Sequence, residues 1–346
     1  MEPEFFTTAD GARLCFALHG AVGAPRLLYV QGSMQDMRRS AAFLNSLSRR
    51  FRVLVYDHRG MGRSTMDTDP THYSMAGYAA DADALLAHVG WNRCHVLGVS
   101  FGGMVAQEIA LRYPARLAAG GGDGGGGGGP RALLLACTSA GGEAGASVPL
   151  HEYARLSDFA FFRTFFAKAD TSFQSGLGRL IPMALGVAGA LLPAARHLDA
   201  GVREVFWGTC RHLQFGARAQ HDTGGRLAAL AAAAAAAAAQ AGPARAMFRA
   251  LVLGGDRDEV APEANVRALA ELIPGAELRF FAGGHGFMAS NPEVVPAVSD
   301  WVLGQGPGGA MQPLPPPPTS TIVRVSQSVA VALVAVWAAR ALRARL

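Results

Sequence analysis

Lysine is almost absent from this chain: Lys168 is the only one in 346 residues, so the net charge of +5 is carried almost wholly by arginine. A phosphate-cradling loop normally uses a lysine beside its glycines, and the glycine-rich stretches here have none. The arginines are dispersed, with no basic stripe and no interleaved aromatics, which argues against a nucleic-acid surface. Cysteine is scarce too. Cys15, Cys94, Cys137 and Cys210 are widely spaced, form no metal-ligand or redox pairs, and read as free thiols of a reducing compartment. No metal and no cofactor is expected. The amino terminus opens directly on a strand pattern, Phe5-Phe6-Thr7-Thr8, which leaves no room for a signal peptide and implies a cytoplasmic location. With 50% hydrophobic residues, the chain can bury one substantial core plus a cap.

What the chain does have is Gly98-Val99-Ser100-Phe101-Gly102, directly after the apolar run Cys94-His95-Val96-Leu97. This has the shape of a nucleophile elbow, a sharp strand-to-helix turn whose central side chain is lifted clear by a strained backbone, with glycines two residues away on either side. The pattern alone is weak in a chain with 43 glycines. Its setting strengthens it: residues 93–99 read as a buried strand, and 104–113 as a helix stopped by Pro114. Further on, the strand Leu251-Val252-Leu253-Gly254-Gly255 runs into Asp256-Arg257-Asp258, and the strand 277–281 ends in Gly283-Gly284-His285-Gly286-Phe287. Ser100, an aspartate and His285 therefore occur in the chain order of one hydrolytic triad architecture. Such chemistry needs all three types. A serine hydroxyl is a poor nucleophile until an imidazole takes its proton, and a carboxylate orients that imidazole and stabilises its charged form.

These motifs, together with the Tyr56-Asp57-His58-Arg59-Gly60-Met61-Gly62-Arg63-Ser64 turn, resemble the α/β-hydrolase superfamily, in its cap-bearing group of serine esterases, lactonases and C–C bond hydrolases. The resemblance spans roughly residues 4–305 around a variable middle. It implies Ser100 as nucleophile, His285 as base and Asp258 as acid, the last because it lies three residues after Gly255 and four before Pro262; Asp256 remains the competing carboxylate. It also implies an oxyanion hole from the backbone N–H groups of Phe101 and Ser33, where Gln31-Gly32 stands in place of the relatives' usual His-Gly pair. The 57–60 turn is expected to be structural.

Strands are expected near residues 4–8, 13–18, 26–31, 51–56, 93–99, 131–136, 249–254 and 277–281, with helices between the later ones. The fold class is therefore α/β: a mostly parallel eight-stranded sheet with helices on both faces and an inserted helical cap. Ser33, Ser100, Asp258 and His285 all follow strands and so meet at the carboxyl edge of the sheet, where open α/β folds bind ligands. The expected division is 1–141 for the first part of the core, 142–228 for the cap, 229–305 for the second part, and 306–346 for a Pro-rich linker and apolar tail. The glycine run 120–129 and the alanine run 231–239 read as loop and helix expansions away from the site. Phe159, Phe161, Phe162, Phe165 and Phe166 in the cap either pack it onto the core or line an apolar pocket.

Three readings stay open for the tail. Residues 325–339 are mostly apolar and suit a short membrane anchor or an element docked on the core; otherwise the tail presents the terminal Ala344-Arg345-Leu346, which resembles a peroxisomal address. The partner expected is a small-molecule acyl substrate, and no nucleic acid. The functional expectation is a serine hydrolase cleaving a moderately hydrophobic, uncharged ester, thioester or lactone through an acyl-enzyme. The alternatives are a C–C bond hydrolase or lyase with the same triad, and a ligand-binding receptor or scaffold without turnover.

Overall fold

Runs of valine and leucine too continuous for a half-exposed surface form the centre of the molecule. The structure is a computed structural model, which describes residues 3–33, 35–38, 40–65, 69–118, 131–142, 209–230, 232, 248–273 and 275–304. The chain divides into two units, Met1–Val302 and Leu303–Leu346, and the first holds all of these residues but two. Most of the expected cap, the glycine run, all but residue 232 of the alanine run, the 325–339 segment and the final tripeptide lie outside the described residues. Among the described residues no helix is long and apolar enough to cross a membrane.

Eight strands form one sheet: β1 (Glu4–Thr7), β2 (Arg13–His19), β3 (Arg26–Val30), β4 (Arg52–Tyr56), β5 (His95–Val99), β6 (Arg131–Ala136), β7 (Phe248–Gly255) and β8 (Glu277–Phe281). Their order is β1-β2-β4-β3-β5-β6-β7-β8. The β1/β2 and β2/β4 pairs are antiparallel, and every other neighbouring pair is parallel. β5 and β6, at the centre, are buried along their whole length, as a sheet covered on both faces requires. Edge strands β1 and β8 are partly exposed.

Helices α1 (Ala41–Leu47), α2 (Met75–His88), α3 (Phe101–Arg112), α4 (Thr209–Ala219), α5 (Glu263–Leu272), α6 (Phe287–Ser290) and α7 (Val294–Leu303) complete the described elements, with 3-10 turns at Pro70–His72 and Pro114–Arg116. After β3 the chain steps one way to β4, then doubles back to β5 and continues the other way. Because parallel crossovers are right-handed, that reversal sends α1 to one face and α2, α3 and α5 to the other. Arg50 Nη1, just beyond α1, lies 2.9 Å from Asp300 Oδ1 of α7, so the last helix shares the α1 face. The reversal also leaves a crevice between the ends of β3 and β5, which is where a ligand site is expected in such sheets.

α2 starts where the Ser74 side chain caps it by accepting a bond from the Gly77 N–H at 3.0 Å. α3 is buried from Phe101 through Ala110, including the polar Gln107 and Glu108. Gln107 donates to the Ser139 carbonyl at 3.0 Å and accepts from the Thr223 hydroxyl at 2.5 Å, while Glu108 pairs with Arg112 and Arg226. These bonds pin the chain where it returns from the variable middle. The spacing predicts a helix beginning near Met104; it begins at Phe101, because the backbone turns at Ser100 itself.

Candidate active site

Ser100 directly follows β5 and stands as the N-cap of α3, with φ 55° and ψ −118°, a conformation that residues other than glycine rarely take. Close packing around it keeps side chains away. A Cβ at Gly98 would lie 2.2 Å from the Gly102 carbonyl oxygen, one at Gly102 would lie 2.1 Å from that of Val30, and one at Gly103 would lie 2.6 Å from Thr138 Cβ. All three are shorter than real contacts allow, so the strand and the helix approach this closely only with glycine there. Thr138, just after β6, secures the turn from the other side by donating its hydroxyl to the Ser100 carbonyl at 2.8 Å.

His285 arrives from the turn after β8. Its Nε2 lies 2.9 Å from Ser100 Oγ, and its Nδ1 lies 2.9 Å from Asp258 Oδ2 and 3.1 Å from Oδ1. The three side chains, separated by 185 and 27 positions in the chain, thus form one hydrogen-bonded line. Asp258 is fully buried at its side chain, and its Oδ1 also accepts the backbone N–H groups of Val260 and Ala261, both at 2.8 Å. Those two bonds aim Oδ2 at the imidazole. Asp256 has a different role: its half-exposed carboxylate accepts the Gly283 N–H at 2.8 Å and pairs with Arg257. It shapes the turn that carries His285 and does not touch the ring.

The loop after β3 lies against the elbow, where a Cβ at Gly102 would also come within 2.4 Å of the Gln31 carbonyl oxygen. Gln31 is completely buried; its Nε2 donates to the Tyr56 carbonyl at 2.8 Å and its Oε1 accepts the Ser40 hydroxyl at 2.8 Å. Gly32 N–H bonds the Gln35 side chain at 3.2 Å, and half-buried Ser33 follows in the turn. The site is therefore bounded by Gln31–Ser33 on one side and by Ser100 and Phe101 on the other.

As expected, the Asp57-His58-Arg59-Gly60 turn braces its surroundings. Asp57 accepts the N–H groups of Met37 at 2.8 Å and Arg63 at 2.9 Å. Arg59 forms a buried two-pronged pair with Asp81 of α2 and a further pair with Asp10. His58 Nε2 lies 3.0 Å from the Gln31 carbonyl oxygen, which can only accept, so this nitrogen carries the proton. Burial among Tyr56, Tyr78 and Phe101 pushes the His58 pKa down to about 4, which keeps the ring neutral.

Sequence reasoning missed two further residues at this edge. Thr138 is one. Cys137 is the other: it directly follows β6, is buried, and shares with Ser100 a positive φ, here 41°, the only two non-glycine cases among the described residues. Burial, and next the negative charge of Asp258, push its thiol well above the ordinary range, so it is a protonated thiol and not a rival nucleophile. The available signal was positional: Cys137 follows its strand as Ser33, Ser100, Asp258 and His285 follow theirs.

A model of the alpha/beta hydrolase fold family matches residues 18–125, and solved structures of that fold superpose along most of the chain. The chain has the α/β-hydrolase fold. One such structure, a hydrolase from Pseudomonas aeruginosa PA01, is 25% identical, with a TM-score of 0.57 over 87% of this chain and 98% of that one. An enol-lactonase from Burkholderia xenovorans LB400 is 21% identical, with a TM-score of 0.61 over 87% and 99%, and shows the fold alone. Among curated relatives, "Putative carbamate hydrolase RutD" of Pseudomonas savastanoi pv. phaseolicola is 43% identical over 94 residues, 27% of this chain and 36% of that protein. Its namesake from Caulobacter segnis is 35% identical over 114 residues, 32% of this chain and 41% of that protein. The chain therefore spans about two fifths of the length of these relatives. Within the α/β-hydrolase fold, the family match contains Gln31, Ser33, Ser100 and Phe101 but neither Asp258 nor His285.

Proposed function

We propose that this chain is a serine hydrolase that cleaves a moderately hydrophobic carboxylic ester, thioester or lactone through an acyl-enzyme. The observation that carries the reading is the His285 ring, within hydrogen-bond reach of Ser100 Oγ on one nitrogen and of the buried Asp258 carboxylate on the other. Ser100 Oγ attacks the substrate carbonyl carbon while Nε2 takes its proton, and the resulting imidazolium is held by Asp258. The same proton then passes to the leaving group as the carbon–heteroatom bond breaks. Water enters by the reverse sequence and releases the acid. The backbone N–H groups of Ser33 and Phe101 are assigned to the developing oxyanion, where each donor is worth about 3 kcal/mol of barrier.

The similarity to proteins named as carbamate hydrolases adds carbamates to the substrates worth testing, because a carbamate presents the same carbonyl to the same nucleophile. The cap, which would select among acyl groups, lies outside the family match.

The test uses the full chain and a fluorophosphonate probe, with aryl esters of graded acyl length, lactones and aryl carbamates as substrates. Labelling and repeated turnover are expected, falling roughly a million-fold in Ser100→Ala. Asp258→Asn is expected to lower kcat about 10⁴-fold by favouring the wrong imidazole tautomer, and Asp256→Asn by less than about tenfold, since it disturbs only the Gly283 turn. A folded chain that takes up no probe would instead support a receptor or scaffold that binds without turnover.

A further inference from the structure

The reaction proposed above gives Cys137 no part, yet its thiol is placed against the acid and the base. Cys137 Sγ, a carboxylate oxygen of Asp258 and a ring nitrogen of His285 all lie within 4.8 Å of one another. They come from the ends of β6, β7 and β8, three adjacent strands, so the sheet itself holds the cluster. The Cys137 backbone is fixed at φ 41° with its N–H bonded to the Leu253 carbonyl at 2.8 Å.

Thiolate, imidazole and carboxylate are the side-chain ligands that zinc accepts, at about 2.0–2.3 Å, and three such ligands with one open position form a common zinc set. Ligands at those distances from one ion stand roughly 3.5 Å apart. The longest side of the cluster must then shorten by roughly 1 Å, and the His285–Asp258 side must open by a few tenths of an ångström. Asp258 is ready for this, since the Val260 and Ala261 N–H groups occupy Oδ1 and leave Oδ2 toward the ion. The mixed donor set is too soft for magnesium or calcium, which prefer oxygen alone.

We propose that Cys137, Asp258 and His285 form an inhibitory binding site for zinc or a zinc-like divalent cation. Binding forms metal–sulfur, metal–nitrogen and metal–oxygen bonds and releases the thiol proton to solvent. The imidazole proton moves from Nδ1, now bound to the ion, to Nε2. Protonated there, His285 cannot accept the Ser100 proton, and the nucleophile is left inactive. This consequence rests on the hydrolase reading, whereas the binding itself does not. Cys137 and the Asp258 side chain are buried and the His285 side chain is 12% exposed, so an ion enters past His285.

The experiment titrates the full chain with cobalt(II), whose thiolate charge-transfer absorption reports the sulfur ligand, and with zinc against a chromophoric chelator, beside an aryl-ester assay. One cobalt per chain with a thiolate band is expected in the wild type and in Ser100→Ala. In Cys137→Ala the band should vanish and zinc affinity should fall by more than the about 10–100-fold typical of losing an outer partner. Stoichiometric zinc should abolish wild-type hydrolysis, a chelator should restore it, and Cys137→Ala should keep working in zinc. Cys137→Ser, which keeps the side-chain volume, replaces the alanine variant if that one does not fold. Absence of stoichiometric binding, or binding and inhibition undiminished without the thiol, would overturn the proposal. A Cys137-dependent cobalt band in a chain that hydrolyses nothing would sink the hydrolase reading and leave the site standing.

Discussion

A methyl group on Gly102 would sit 2.1 Å from the Val30 carbonyl oxygen, whereas one on Gly32, across the crevice, would meet nothing closer than 3.4 Å. The elbow is held by volume: Gly98, Gly102 and Gly103 let β5, α3 and Thr138 close to distances that any Cβ would prevent. The facing loop is held by polar bonds. Gln31 ties it to Tyr56 and Ser40, Gln35 accepts the Gly32 N–H, Asp57 accepts the Met37 N–H, and neutral His58 donates to the Gln31 carbonyl. One side of the site is therefore intolerant of added atoms. The other tolerates added atoms and depends on protonation state.

Four substitutions or conditions probe that contrast. Gly102→Ala should be the most severe, costing about 4 kcal/mol or more or preventing folding, because the atoms in its way are main chain; urea unfolding within about 1 kcal/mol of the wild type would break the steric account. Lowering the pH comes next. His58 has a folded pKa of about 4, below the roughly 6.5 of an unfolded histidine, so the unfolded state binds the proton first. Its contribution, of order 3 kcal/mol, is complete above about pH 6.5 and is lost as the pH falls toward 4. His95 and His221, buried with pKa values lowered to about 3 and about 4, act in the same direction. Denaturation midpoints measured from pH 7 to 4 should fall accordingly, and more shallowly in a folded His58→Asn variant.

Gln31→Ala should cost about 1–3 kcal/mol by stranding buried partners. If the loop carries an oxyanion donor, kcat should drop with KM nearly unchanged; a rise in KM alone would mean that the loop only binds substrate. Gly32→Ala should be the mildest, within about 1 kcal/mol of the wild type, since the nearest groups are at ordinary contact distance.

Much of this was legible beforehand because both kinds of restraint leave marks in sequence. All eight strands fall within about two residues of their expected positions; the central ones are marked because strands buried on both faces must be runs of apolar residues, and the partly exposed edge strands by the turn residues that bound them. The elbow was legible because its glycines are obligatory. The resemblance favoured Asp258 by its spacing from Gly255 and Pro262 but left Asp256 in competition, since both follow the same strand; the direction of each carboxylate, one toward Gly283 N–H and one toward His285, separates them. The polar bracing was equally hidden, since nothing near Gln31 in the chain announces Tyr56 or Ser40 as its partners.

By itself the sequence determined the strand positions and the elbow at Ser100, and it singled out His285 as a candidate, because these depend on residue types within a few positions of one another. Only the tertiary structure decided which aspartate meets the histidine, which side chains hold the Gln31–Ser33 loop, and that Cys137 stands beside Asp258 and His285. The reason is physical. Local sterics limit the backbone conformations of a short segment, whereas the direction of a buried polar side chain depends on groups that the folded sheet brings near it from distant parts of the chain.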